Sequence, residues 1–307
     1  MTTERPMTSR VRALSRIDLF MLFVVIVWGV NFTVVKWALE KMSPWSFNLA
    51  RFTMSAVAMA VLLRVRDGGL RGISASDLLA MIGIGILGNT VYQALFIQGI
   101  AWTTAGNAVL FIAINPLWTA LLSAGLGVDR LTARTWGGIV LAMAGAALVA
   151  LGGHRPGSAG IQWLGDGLVL LAGICWSAYT VLSRALLARH SPLRLTGVGL
   201  IAGTAGIWAT TMPAAFRQDW QVLTWADWSA IAFAGLGALV FCYTVWAEGV
   251  KHVGPARTAA YANLTPAVGL LASAWALGEP LGWMRVVGAT LTIYGVYITR
   301  TSRPRSL

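Results

Sequence analysis

The sequence predicts an all-α integral membrane protein with ten transmembrane helices, arranged as two inverted-topology five-helix repeats. Three observations carry this expectation. The chain is 57% hydrophobic and 11% charged, with 34 glycines and a mean hydropathy of +0.70, more apolar surface than one soluble core encloses. Ten windows of the chain approach or reach the roughly 20 apolar residues that span hydrocarbon. The chain is also written twice. Asp18, Leu22, Ile26, Trp28 and Leu39 recur as Asp166, Leu170, Ile174, Trp176 and Leu187 at an offset of 148. Further on, Asp77, Gly99, Pro116, Gly138 and Gly145 recur as Asp227, Gly249, Pro266, Gly288 and Gly295 at an offset of 150. Five windows per copy is an odd number, so the second copy enters the membrane from the opposite side.

Local signals place the windows. The first, 19–39, opens after Asp18; the second, 47–63, follows Ser43-Pro44; the third, 78–100, opens after Asp77. The fourth, 105–125, carries Pro116 near its middle, and the fifth is 135–151. In the second copy 165–187 opens at Asp166, 195–216 follows Ser191-Pro192, 228–250 opens at Asp227, 258–277 carries Pro266, and 286–299 is last. A carboxylate at a helix start accepts free backbone N–H groups and suits the positive end of the dipole, so these four aspartates read as caps. The two prolines predict mid-helix bends. Gly83, Gly85, Gly88, Gly137, Gly138, Gly197, Gly199, Gly203 and Gly206 predict close approach between helices. Connections are short, and the repeats divide as residues 1–152 and 153–307.

A net charge of +12 raises nucleic acid as a partner, but the placement of the charge points to the lipid bilayer instead. With the N-terminus cytoplasmic, sixteen cations fall inside: Arg5, Arg10, Arg12, Arg16, Arg64, Arg66, Arg71, Arg130, Arg134, Arg189, Arg194, Lys251, Arg257, Arg300, Arg303 and Arg305. Only Lys41, Arg155, Arg217 and Arg285 fall outside. That asymmetry orients a multi-pass protein with both termini in the cytoplasm. Trp37, Trp45, Trp102, Trp163, Trp220, Trp225, Trp228, Trp275 and Trp283 fall near the outer surface, as an aromatic belt does. The first 16 residues are polar and basic, and no small-residue cleavage site follows the first apolar run, so the first helix is expected to stay as an anchor. Cys175 and Cys242 have no metal-ligand spacing and read as buried thiols.

The informative residues are polar or aromatic, lie deep in the windows and recur at matching positions. Asn31 matches Tyr179, Gln93 matches Tyr243, Phe96 matches Trp246, Asn107 matches Arg257, Phe111 matches Tyr261, and Asn115 matches Thr265. Within each window they are spaced three or four apart, which puts them on one helix face. Polar groups facing lipid are costly, so these faces turn inward. With Trp28 and Trp176 they predict a solute cavity, rings forming its walls and amides offering hydrogen bonds to a small-molecule substrate. Gln93, Phe96, Asn107 and Phe111 fall in the outer half and Tyr243, Trp246, Arg257 and Tyr261 in the inner half, so matching gates flank a central site. For any single Asn or Thr an interhelical hydrogen bond is the simpler account. Arg257 fits an inside-positive topology residue, paired with Glu248, better than a carboxylate attractor.

The duplicated five-segment pattern, Trp28-Gly29-Val30-Asn31-Phe32, the Asn115-Pro116 and Thr265-Pro266 steps, and Gly278-Glu279-Pro280-Leu281 together resemble the EamA group of drug/metabolite transporters over nearly the full length. Within it the chain is most similar to YddG-type exporters of aromatic amino acids. The resemblance implies efflux of small metabolites across the bacterial inner membrane by alternating access, with no cofactor or metal. A polyspecific drug or nucleoside exporter is the nearest alternative. Small multidrug members carry a mid-membrane glutamate in the first helix, where this chain has Trp28-Gly29-Val30-Asn31; that absence favours gradient-driven export over proton antiport. Lys36 with Glu40, and Glu248 with Lys251, are candidate ion pairs. A membrane-embedded enzyme acting on a lipid-linked substrate is disfavoured, because His154, His190 and His252 lie in loops or at helix ends without a nucleophile or ligand pattern. A channel is disfavoured by bulky rings across the polar faces. One chain supplies both repeats, so a monomer is expected.

Overall fold

The computed structural model describes residues 16–125, 132–153, 159–253 and 261–301, and among them it is helical with no strand. Helix α1 is Arg16–Ala38, α2 Pro44–Arg66 and α3 Ala75–Trp102. Helix α4 comes in two pieces, Ala105–Ile112 and Asn115–Gly125; α5 is Ala133–Gly153, α6 Ala159–Leu187 and α7 Pro192–Arg217. Helix α8 runs through Trp225–Ala232, Phe233–Phe241 and Cys242–Val253, α9 comprises a tight turn at Ala262–Leu264 and the helix Thr265–Leu277, and α10 is Trp283–Thr301. Among the described residues, seven spans are long and apolar enough to cross a membrane, within α1, α2, α3, α4, α6, α7 and α8. Shorter apolar stretches lie in α5 (Ala133–Val149) and α9 (Thr265–Leu277).

The prolines break helices instead of bending them. Helix α4 stops at Ile112, and Pro116 falls in the first turn of the next piece, where its missing N–H has no partner to lose. Pro266 likewise opens the helix that follows the turn at Ala262–Leu264. Two π-helical stretches, Ile86–Val91 in α3 and Phe233–Phe241 in α8, widen matching helices of the two copies. Such wide turns release carbonyls that other groups must take up. Trp28 Nε1 takes Ala238 O at 3.0 Å and Ser55 Oγ takes Gly235 O at 3.0 Å.

Two of the four aspartates depart from capping. Asp166 lies two turns inside α6, because that helix starts at Ala159, and its carboxylate accepts from Thr103 Oγ1. At α3 the cap is Ser74, whose hydroxyl accepts from Asp77 N at 3.1 Å. The Asp77 carboxylate instead meets His190 Nε2 at 2.8 Å and Arg189 at 3.0 Å, at the end of α6. Asp227 does cap, accepting from Thr224 N at 2.7 Å, and it also pairs with Lys41 at 3.1 Å beyond the end of α1. The Asp18 side chain lies outside the described residues. Asp77 and Asp227 mark opposite ends of the bundle, called here the Asp77 face and the Asp227 face. Each clasp joins a residue of one copy to a loop of the other.

Small residues set the closest helix contacts. A Cβ on Gly145 of α5 would fall 2.5 Å from the Thr292 backbone nitrogen of α10, and one on Gly85 would fall 2.5 Å from Gly199 Cα of α7. Gly83 and Gly137 depart from expectation, since a Cβ there meets nothing within 4 Å. Cys242 is buried but Cys175 only half-buried. Trp225, Trp275 and Trp283, 88%, 91% and 72% exposed, stand at the Asp227 ends of their helices.

Gly145→Val therefore forces α5 and α10 apart and should lower the thermal midpoint of the detergent-solubilised protein by several degrees. Gly137→Ala should hold or raise it, since alanine is favoured over glycine in a helix by about 1 kcal/mol. Differential scanning fluorimetry of the two variants checks this; equal midpoints would contradict the packing.

Candidate functional site

Helices α1, α3, α6 and α8 bring a cluster of rings to the middle of the bundle. Trp176 of α6 stands at its centre, 5.0 Å from Tyr243, 5.4 Å from Tyr92, 5.4 Å from Tyr179 and 6.0 Å from Trp28 between ring centroids. Trp28 lies 5.2 Å from Trp246. The wide turn of α3 helps to seat Tyr179, because a Cβ at Gly88 would intrude to 2.7 Å from that ring's Cγ. From these rings a cleft runs between α6, α7 and α8 towards Leu187, Leu195 and Val250, on the Asp77 side of the bundle. Its enclosed space is about 20 Å³, room for a water molecule but not for a solute.

Behind the rings the cleft ends on a buried polar chain. Gln93 Nε2 donates to Tyr243 Oη at 3.3 Å, and Gln93 Oε1 accepts from Arg51 Nη2 at 2.6 Å. Arg51 Nε and Nη2 also donate to Asn48 Oδ1 at 2.9 and 2.6 Å, and Asn48 Nδ2 donates to Gln93 O at 3.1 Å. Sequence reasoning missed Arg51, Asn48 and Tyr92. The available signal was a lone arginine inside the apolar window 47–63.

At the Asp227 face side chains tie down helix ends. Lys36 Nζ donates to the carbonyls of Ile100 (2.8 Å), Ala101 (3.0 Å) and Thr103, which end α3. Glu279 accepts from Ala105 N at 2.8 Å and Gly106 N at 3.0 Å, capping α4, and pairs with Arg285 Nη2 at 3.1 Å. Gly278 makes this reach possible by ending α9 in the left-handed region at φ 64°. Arg285 is 1% exposed, an interior ion-pair partner rather than the surface topology residue expected.

The expected site residues divide accordingly. Trp176, Tyr179, Tyr243 and Trp246 line the cleft, Trp28 backs it, and Gln93 and Phe96 lie one layer behind, Phe96 at 5.5 Å from Tyr92. Asn107, Phe111, Asn115, Tyr261, Thr265 and Asn31 do not border the cleft in this structure. Asn107 Oδ1 accepts from Arg285 Nη2 at 3.3 Å at the Asp227 end. Phe111 is buried and Tyr261 half-buried. The Asn115 carbonyl accepts from Ser177 Oγ at 3.0 Å. Asn31 Oδ1, Asn115 Oδ1 and Thr265 Oγ1 are buried with no hydrogen-bond partner among the described residues. Arg257 lies outside the described residues. Glu248 pairs with His252 at 3.0 Å instead of Lys251. No group of three potential metal ligands occurs among the described residues.

A helical bundle with apolar spans and an interior ring-lined cleft defines a multi-pass membrane transporter scaffold. The chain matches the EamA-like transporter family over residues 15–151 and again over 163–301, and it belongs to that family. It is 29% identical to the Bacillus subtilis (strain 168) protein named "Uncharacterized transporter YyaM", covering 87% of this chain and 88% of that one. It is 27% identical to the "Probable terminal-alkyne amino-acid exporter" of Streptantibioticus cattleyicolor, covering 91% of each. It is likewise 27% identical to the "Probable amino-acid metabolite efflux pump" of Salmonella typhimurium (strain LT2), covering 93% of this chain and 95% of that one. A crystal structure at 19% identity shares the fold, with a TM-score of 0.63 over 94% of this chain and 98% of the other.

Removing Glu279 strands a buried guanidinium and two helix-end N–H groups at once. Glu279→Ala should destabilise the protein by roughly 3–5 kcal/mol. The double variant Glu279→Met with Arg285→Met should recover part of that loss, since it leaves no unpaired charge. Denaturant melts in detergent check both; a double variant worse than the single would contradict the ion-pair account.

Proposed function

We propose that the protein exports small metabolites, aromatic and other apolar amino acids foremost, across the bacterial inner membrane by alternating access, driven by the solute's own gradient. In this reading ten spans form two inverted five-helix repeats, both termini lie in the cytoplasm, and a monomer suffices. The observation that carries it is the cleft between α6, α7 and α8, walled by the rings of Trp176, Tyr179, Tyr243 and Trp246 and reaching towards the Asp77 face. Placing the Asp77 face in the cytoplasm, as the excess of basic residues favours, makes this the inward-facing state with its rings packed together.

Packing supports the inverted repeat. Contacts of α1 with α9, α3 with α6 and α3 with α7 are matched by α6 with α4, α8 with α1 and α8 with α2, while α2 meets α7 and α5 meets α10. Exchanging the two copies reproduces that pattern. The end contacts, however, are not equivalent. Lys36 holds the end of α3, whereas Arg184, its match at offset 148, is exposed and has no partner among the described residues. An unequal use of equal positions is what alternating access requires. The printed names of the Streptantibioticus and Salmonella relatives support an amino-acid or metabolite substrate, and the cleft's rings support a flat apolar side chain.

Reconstituted protein should exchange labelled phenylalanine, with tryptophan, tyrosine and leucine competing and nucleosides or cationic drugs not. Trp176→Ala should cut exchange at least tenfold, and an imposed proton gradient should drive no accumulation. Competition by nucleosides or drugs alone would move the substrate to those classes, and proton-driven accumulation would overturn the gradient-driven mechanism.

A further inference from the structure

The interior holds two guanidinium groups of equal burial and unequal company. Arg285 and Arg51 are each 1% exposed. Arg285 has the Glu279 carboxylate at 3.1 Å. Arg51 has only neutral neighbours: Asn48 Oδ1 and Gln93 Oε1, with the rings of Phe47 and Phe52 at 5.1 and 5.7 Å. No carboxylate pairs with it among the described residues. Arginine stays charged in proteins, and a charge away from water without a counter-ion is costly. Inside a membrane such a group marks a solute path, and the missing partner is the thing to name.

We propose that Arg51 is the anion-recognition residue of the transport site and that it takes a carboxylate, that of an amino acid or a related apolar acid. The identity of the solute rests on the exporter reading; the anion site rests on Arg51 alone. Three features point to it. The guanidinium uses Nε and Nη2, while Nη1 has no hydrogen-bond partner among the described residues. Its acceptors are amide oxygens, which a carboxylate outcompetes because charge-assisted bonds are the stronger. Finally, Gln93 links Arg51 to the Tyr243 hydroxyl, so the cation stands one side chain behind the ring-walled cleft. An arriving carboxylate displaces the Gln93 oxygen and keeps its apolar portion on the Tyr243 side. A planar fork matches two carboxylate oxygens, which a lysine ammonium does not.

The test uses purified full-length protein in detergent, with thermal stabilisation by phenylalanine, 3-phenylpropanoate and phenylalaninamide as readout. The two carboxylates should raise the midpoint and the amide should not; this comparison on the unaltered protein needs no variant to fold. Arg51→Gln should abolish the carboxylate-dependent shift, and Arg51→Lys should weaken apparent affinity at least tenfold while retaining the preference. Equal stabilisation by acid and amide, no stabilisation by either carboxylate, or an unchanged shift in Arg51→Gln would each overturn the proposal. Flux in proteoliposomes separates the two claims. Carboxylate binding without transport sinks the exporter reading and leaves the anion site standing, whereas transport indifferent to the carboxylate sinks the anion site alone.

Discussion

The controlling constraint is that hydrocarbon offers no partner to a polar backbone group, so every interruption of a helix must be covered by protein. The molecule interrupts its helices in pairs. Wide turns in α3 and α8 and breaks in α4 and α9 fall at matching places in the two copies. Several of the released groups meet something from another helix. Trp28 and Ser55 satisfy α8 carbonyls, Lys36 gathers the carbonyls ending α3, and Glu279 takes the first amides of α4. The covering groups come from distant parts of the chain, so the same bonds that permit irregular backbone also fix which helices are neighbours.

That division explains what was legible in the sequence. Hydropathy reports exposure to lipid, and it placed the helices well: the window 47–63 became Pro44–Arg66, and 195–216 became Pro192–Arg217. Windows fell short at the ends because polar caps such as Ser43 and Ser191 are helical signals without being apolar. Ring positions were legible too, since Trp28, Trp176 and Tyr243 sit on inward faces by spacing alone. The wide turns were not, because nothing local distinguishes Ile86–Val91 from an ordinary helix; what marks it is a tertiary neighbour, the Tyr179 ring against Gly88.

Charge was the most misleading signal. Arg285 sits beside a helix start and reads as a cation of the outer surface, yet it is buried and paired with Glu279. Asp166 reads as a cap and is a buried acceptor for Thr103. Both errors have one cause: the sign of a residue is visible in sequence, but whether its partner is water, a helix end or another side chain depends on tertiary neighbours. Prolines misled in the same way. Pro116 is compatible with a kink or a fresh start, and the choice fell to the adjoining turn at 113–114.

The two clasps show why such a molecule tolerates movement without losing its halves. Asp77 with Arg189 and His190, and Asp227 with Lys41, tie each copy to a loop of the other at opposite ends of the bundle. Both lie at helix starts, away from the ring cluster. In each clasp a largely exposed cation, Lys41 or Arg189, meets a carboxylate that is itself mostly buried, so solvent screens the attraction on one side only. The Glu279–Arg285 pair with its two amides is buried and directional, and breaking it is far costlier. Interior bonds at the Asp227 end therefore fix the helix ends there, while each joint between copies has one partner that faces solvent. On the alternating-access reading the solute has to tip only the difference between the two ends, and a ligand shifts such an equilibrium by no more than its unequal affinity for the two states. A counter-ion for Arg51, present only when solute is bound, is an interaction of that kind.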